Sequence, residues 1–269
     1  MSVTIPATEH RSSALRPGPV FSRLIRSEWA KLRTVRATVC CLFATAAVAV
    51  GISVIVATAI DKEGPQPIGQ LVINSHMGFG VGQLAVVVLA VTAIGSEYST
   101  GTIRTSLTAI PWRGPWLLAK ALVTAALVLV TGMLLSIVCF AVEYASAPAV
   151  SGSVTGPSVV RAVLGGGLYL SVLAVLSLAV GAVLRSTVGG IVVMFTLIFV
   201  VPGLASAPAL SGLAPLLPGS LAPGSAGWTI MQPGPMLDGL SPWAGFGVLC
   251  AWAAVAMAGA VYLLDKRDA

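Results

Sequence analysis

The chain has 269 residues, of which 57% are hydrophobic and only 9% charged, with a formal net charge of +6 and a mean hydropathy of +0.96. A soluble domain wets its surface with roughly 25% Asp, Glu, Lys and Arg, so these figures exclude one, and they exclude a disordered chain equally. The 29 glycines and 17 prolines follow no collagen-like period, which leaves an integral membrane protein with loops rich in turn residues.

Residues 1–19, ending on Pro17-Gly18-Pro19, have the composition of a disordered cytoplasmic arm. In residues 20–36, Val20, Phe21, Leu24, Ile25, Trp29, Leu32 and Val35 recur at helical spacing while Arg23, Arg26, Lys31, Arg33 and Arg36 fill other positions. The pattern predicts a basic amphipathic helix lying in the headgroup layer, with Trp29 as interfacial anchor and Arg26, Lys31, Arg33 and Arg36 meeting anionic lipid. Orienting the protein at the membrane surface accounts for such a helix as well as contact with a partner does.

A helix crossing about 30 Å of hydrocarbon needs about 20 mostly apolar residues. Six uncharged runs are long enough: 37–60, 71–94, 121–142, 162–184, 187–205 and 242–264. Backbone groups in lipid must be satisfied within their own segment, so each run is expected to be an α-helix, and no alternating pattern argues for a barrel. The predicted fold is an all-α membrane protein of six transmembrane helices behind an interfacial helix. Ala57-Thr58-Ala59 resembles a signal-peptidase site. However, the apolar run before it exceeds the roughly 7 to 15 residues of a signal core, so the first run is read as a retained span.

Lys and Arg set the orientation. With the N-terminus inside, Arg11, Arg16, Arg23, Arg26, Lys31, Arg33, Arg36, Arg104, Arg113, Lys120, Arg185, Lys266 and Arg267 are cytoplasmic, and only Lys62 and Arg161 lie outside. Thirteen of the 15 basic residues on one side place both termini in the cytoplasm of a cell-membrane protein. The positive charge is therefore a topology signal and not a nucleic-acid footprint.

Between the second and third spans, the loop 95–120 holds Ile103, Leu107 and Ile110 on one helical face, with Ser99 or Thr100 to cap its start and Pro111 to end it. This predicts a short amphipathic helix that is marginal alone, because its many threonines are poor helix formers. Residues 206–241 carry six prolines and six glycines and are expected to form an apolar external loop, with short helices dipping back toward the bilayer. Residues 265–269 make a short cytoplasmic tail.

Catalytic chemistry is missing from the inventory. The two histidines, His10 and His76, cannot build a metal cluster. There is no Gly-x-Ser-x-Gly elbow and no Gly-x4-Gly-Lys-Ser/Thr phosphate loop. Cys40, Cys41, Cys139 and Cys250 all fall inside apolar runs and suggest neither disulfides nor a metal site. No enzyme, cofactor or metal is expected. The apolar runs also lack the ionisable residues that proton- or sodium-coupled carriers place in the membrane; His76, Glu143 and Arg161 are expected at outer helix ends. Gly78 and Gly82 form a small-xxx-small pair, Gly165-Gly166-Gly167 interrupts the fourth run and Gly189-Gly190 opens the fifth; such glycines let helices approach closely and soften them, and most are packing devices.

Several stretches together resemble permease subunits of ATP-binding-cassette transporters. They are Arg26-Ser27-Glu28-Trp29-Ala30-Lys31-Leu32-Arg33-Thr34-Val35-Arg36, Glu97-Tyr98-Ser99-Thr100-Gly101-Thr102-Ile103-Arg104 with Pro111, Arg113 and Lys120, and Gly181-Ala182-Val183-Leu184-Arg185-Ser186 before Gly189-Gly190. With the Pro-rich loop and the ending Leu263 to Ala269, their order is similar to the type-2 permease family as found in high-GC Gram-positive bacteria. The resemblance implies half of a dimeric transporter, paired with an identical or related permease and driven by a separate ATPase subunit. It places Glu97, Ser99, Gly101, Thr102 and Arg104 at or near the ATPase contact, with the loop between the second and third spans as coupling helix. It further implies export, for which the apolar route suggests a hydrophobic or amphiphilic cargo. A non-transporting membrane accessory or immunity protein is the alternative, and a passive channel or ion-driven carrier ranks third.

Overall fold

The computed structural model describes residues 17–59, 64–101, 113–205, 221–233 and 240–266. Helix α1 (Pro17–Thr34) precedes α2 (Arg36–Ala59), α3 (Ile68–Ser99), α4 (Arg113–Ser146) and α5 (Pro157–Leu184). The fifth crossing is α6 (Thr187–Phe195), a π-helical turn (Thr196–Val200) and α7 (Val201–Ala205), and a short α8 (Pro223–Trp228) with a 3-10 turn (Thr229–Met231) leads to α9 (Pro242–Lys266). Six helical segments are long and apolar enough to cross a membrane, forming an all-α bundle.

Helices α3 and α5 form the centre. The apolar windows of α3 and α5 are 56% and 67% buried by the rest of the chain, against 17% for α2 and for the fifth crossing. Side chains from both, such as Phe79, Val87, Ile94, Tyr169, Leu173 and Leu176, make the core. Lipid tails are as apolar as leucine, so helices in a bilayer associate through close packing of small residues. A Cβ on Gly78 would lie 2.7 Å from Ala49 Cα, and one on Gly82 would lie 3.3 Å from the Thr45 carbonyl oxygen, so these glycines seat α2 on α3.

The triple glycine of α5 leaves the helix continuous and serves as a packing device. Gly165 backs onto the Ile230 carbonyl, Gly166 onto Phe79 and Ser136, and Gly167 onto the backbone of Met133 and Leu129. Gly165 thus admits the segment after α8, and Gly166 and Gly167 admit α4, with Gly166 also meeting Phe79 of α3, and the helix passes through unbroken because intrahelical hydrogen bonds outweigh the propensity cost of about 1 kcal/mol per glycine. The fifth crossing is the irregular one. Pro202 has no N–H to give the preceding turn and its ring crowds the carbonyl four residues back, and the ladder widens to a π turn immediately before it.

The helices overrun their apolar runs. Helix α3 has 32 residues, about 48 Å of rise, and continues through Ser96 and Glu97 to Ser99. Helix α4 begins at Arg113 and contains Lys120. Only Thr100 and Gly101 of the intervening loop are described; the amphipathic segment of Ile103, Leu107 and Ile110 lies outside the described residues, as do the arm 1–16 and the tail 267–269. The Ser99 and Thr100 hydroxyls both donate to the Ser96 carbonyl, Thr100 at 2.7 Å, at the end of α3. On the opposite side, a two-residue parallel pair (Gln66–Pro67 with Val150–Ser151) ties the connection before α3 to the one after α4.

Candidate functional site: an ion-pair cluster at the root of the α3–α4 loop

Helix α1 packs one stripe inward. Leu24, Glu28 and Leu32 are buried at successive turns, while Arg23, Arg26, Trp29, Arg33 and Arg36 stay exposed. The exception in that stripe is the acid. Glu28 is 2% exposed, and opposite it Lys120 of α4 is 4% exposed and Glu97 of α3 8%. Burial of this kind is tolerated only when charges are paired and hydrogen-bonded.

Lys120 Nζ donates to Glu28 Oε2 at 2.6 Å and to Glu97 Oε1 at 2.8 Å. Lys31 Nζ, whose side chain is 45% exposed, donates to Glu28 Oε1 at 2.7 Å and to Glu97 Oε1 at 3.1 Å. The Lys120 ammonium also lies 5.5 Å from the centre of the Trp116 ring, a cation–π contact. Two carboxylates and two ammoniums thus join α1, α3 and α4 within one turn of where the chain leaves α3 for the loop. Glu97 Oε2 has no donor among the described residues, an unmet acceptor of roughly 1 to 3 kcal/mol.

Burial alone would raise the Glu28 carboxyl, but the charge and hydrogen bond of Lys120, then those of Lys31, outweigh it and hold Glu28 below its ordinary 4.5. Burial would likewise lower Lys31, but Glu28 and then Glu97 raise it above its ordinary 10.5. The linkage has a definite sign. The depressed Glu28 contributes stability that is present above pH 4.5 and lost as pH falls through its lower folded value. The raised Lys31 contributes stability that is present below pH 10.5 and lost as pH rises through its higher one. Docking of α1 is therefore expected to be flat with pH between those limits and to fail on the acid side below 4.5. Proteolytic accessibility of Arg23 and Arg26 against pH measures it, and release of α1 between pH 6 and 8 would contradict it.

Of the residues singled out from sequence, Glu97 belongs to the cluster with its carboxylate turned inward. Ser99 and Gly101 are exposed just beyond it, and Thr102 and Arg104 lie outside the described residues. Lys31 is not a free lipid-facing cation, being committed in part to Glu28 and Glu97. Glu28 and Lys120 are the residues that sequence reasoning did not assign a role. Their signal was present: Glu28 occupies a position where the apolar stripe of α1 calls for a hydrophobe, and Lys120 is the sole charge in the long run from Gly114 to Val142.

The other half of the bundle holds polar groups of a different kind. Arg161 does not snorkel outward. Its guanidinium donates to the Ile230 carbonyl at 2.9 Å and the Gln232 carbonyl at 2.8 Å, binding the end of the α8 segment to α5. That segment is buried against α5 and α9, with Trp228 edge-on to Tyr169 at 5.8 Å. Tyr169 in turn donates to Gln83. His76 is fully enclosed and not a helix-end residue. Its Nδ1 lies 2.7 Å from the Val72 carbonyl and its Nε2 2.8 Å from Ser136 Oγ, which also reaches the Val163 carbonyl, so α3, α4 and α5 share one hydroxyl. Glu143 is fully buried near the end of α4. No group of three His, Cys, Asp or Glu that would hold a metal occurs among the described residues.

Residues 24–203 match the family described as ABC-2 family transporter protein, a span from the buried stripe of α1 to the π-helical crossing. The chain belongs to the ABC-2 transporter family. No curated protein matches the sequence. Members of this family are transport subunits without a catalytic centre, so the chain is a multi-pass membrane permease and not an enzyme. Membership also implies an ATPase partner that supplies the energy the chain cannot generate.

Proposed function

We propose that this ABC-2 chain is the membrane half of an exporter in the cell membrane, with both termini cytoplasmic and α1 lying along the cytoplasmic boundary of the bilayer. An ATPase subunit docks on the loop after α3, where Ser99, Gly101, Thr102 and Arg104 are its contacts and Glu97 anchors the root of the loop from within. A second permease copy, identical or related, completes the path. The observation that carries this reading is the ion-pair cluster: it is the point at which force on the loop reaches α1, α3 and α4 together, since buried pairs hold three helices in one geometry. An apolar groove of about 720 Å³ between the fifth crossing and α9, lined by Leu197, Val201, Leu221, Val248, Trp252 and Val255, supports a hydrophobic or amphiphilic cargo. The likeness to permeases of high-GC Gram-positive bacteria belongs to the same proposal.

Reconstitution with an ATPase encoded in a neighbouring reading frame tests it. Arg104→Ala and Thr102→Ala are expected to lower stimulated ATP hydrolysis by roughly tenfold each, the loss of about 1.4 kcal/mol at an interface, with melting of the permease unchanged. Unaltered hydrolysis in both variants removes the docking assignment. A chain that captures no ATPase and moves no compound is the membrane accessory or immunity protein of the alternative reading.

A further inference from the structure

The last turn of α3 faces two ways. Glu97 turns into the ion-pair cluster with α1 and α4, and its neighbour Tyr98 turns toward the corner between α5 and α6. That corner is made by Arg185 and Ser186. Arg185 ends α5 with its N–H on the Gly181 carbonyl at 3.0 Å, and the Ser186 hydroxyl starts α6 by accepting from the Gly189 N–H at 3.1 Å. Arg185 is left-handed, with φ 52°, the one non-glycine of positive φ among the described residues. Glycine is the usual residue at a left-handed helix end, because a Cβ there crowds the backbone. The arginine side chain shows what offsets that penalty. Its guanidinium carbon lies 5.6 Å from the centre of the Tyr98 ring, a cation–π contact, while the Tyr98 hydroxyl meets the Ala182 carbonyl only at 3.4 Å. Glycines bring the same three helices together alongside. A Cβ on Gly95 would overlap the Thr187 side chain, one on Gly181 would stand 2.9 Å from Ile94, and one on Gly190 would stand 2.8 Å from Val91. Such packing transmits a push between α3 and the start of α6. The Arg185–Tyr98 contact adds resistance to a pull, one residue before α3 ends.

We propose that Arg185 is a positioning residue for transport. Acting through Tyr98, it carries movement of the loop after α3 into the fifth crossing, as Glu97 carries it into α1 and α4. The two branches are separable, because they leave α3 from adjacent side chains toward different helices. Helix α6 continues into the π-helical turn, and Leu197 of that turn with Val201 beyond it walls the apolar groove. The Tyr98 branch is therefore the one that reaches the groove side of the bundle. The inference rests on ATPase docking at the loop, and it gives the movement a route through the permease without adding a contact to the ATPase.

Hydrogen–deuterium exchange of the reconstituted permease–ATPase complex tests this, read with and without ATP and vanadate. In the parent complex, trapped nucleotide is expected to change exchange in peptides covering both α1 and α6. In Arg185→Gly and in Tyr98→Leu the α6 response should fall about fivefold, the factor one cation–π contact is worth, while the α1 response persists. Arg185→Gly keeps the left-handed corner and relieves its Cβ, so this variant should melt close to the parent. A merely structural arginine would instead lower the melting temperature and weaken both responses together. Arg185→Lys and Tyr98→Phe, which keep the cation and the ring, should retain most of the α6 response. An α6 response undiminished in both Arg185→Gly and Tyr98→Leu, or one lost together with the α1 response, overturns the proposal. A parent response confined to α1 overturns it as well and leaves docking standing, whereas a parent that responds at neither helix refutes docking and the route together.

Discussion

Lys120→Met is expected to destabilise the permease by about 3 to 5 kcal/mol, the cost of leaving buried carboxylates without their counter-charge. Glu28 keeps only Lys31, and Glu97 keeps only the longer of its two contacts, at 3.1 Å. The variant should melt well below the parent in the same detergent, and α1 should become accessible to protease before the rest of the bundle opens. Removing both buried partners has a smaller expected cost, because the desolvation of two charges is recovered when their attraction is lost. Glu28→Leu with Lys120→Met should therefore lie within about 1 to 2 kcal/mol of the parent. A Lys120→Met chain that melts with the parent would show that the cluster does not hold α1.

The second large effect concerns glycines, and its sign depends on where they are. At Gly167 a Cβ would stand 2.7 Å from the Met133 backbone nitrogen and 2.8 Å from the Leu129 carbonyl oxygen; at Gly78 it would meet the Ala49 backbone just as closely. Backbone cannot swing aside as a side chain does, so Gly167→Ala and Gly78→Ala should force the helix pairs apart and cost about 1 to 3 kcal/mol or more. Gly259, in α9, has nothing within 4 Å of the same position. There Gly→Ala brings only helix propensity and should stabilise by up to about 1 kcal/mol. Melting temperatures of the three variants decide the matter, and three shifts of the same sign would refute the packing described for α2–α3 and α4–α5.

How much of this was legible in the sequence follows the range of the interactions. Apolar runs are a local property, and the hydrocarbon thickness sets their length, so six crossings can be counted along the chain. Glu97 was singled out by the family resemblance, but its inward turn was not legible, because its partner Lys120 reaches it from another helix. The amphipathic period of α1 was plain, and Glu28 within its apolar stripe was the visible anomaly; only the opposing lysine from α4 explains it. Arg161 looked like a residue at a helix end, and its true partners are carbonyls about seventy positions later. The three glycines of α5 could be recognised in the sequence as packing devices, but the neighbours they admit, from α3, α4 and the segment after α8, could not.

The amino-acid order by itself determined that the chain belongs in a bilayer, that six of its segments are apolar and long enough to cross one, and that it carries no phosphate-loop motif. Those properties depend on the transfer of each segment between water and hydrocarbon, which is additive along the chain. The tertiary structure decided that α3 and α5 are central, that four charges from three helices converge at the root of one loop, and that Arg161 binds the α8 segment. These are pairings between residues distant in sequence, and their free energy exists only once the helices have been brought together, where low dielectric makes each unmade pair costly and each close backbone approach selective.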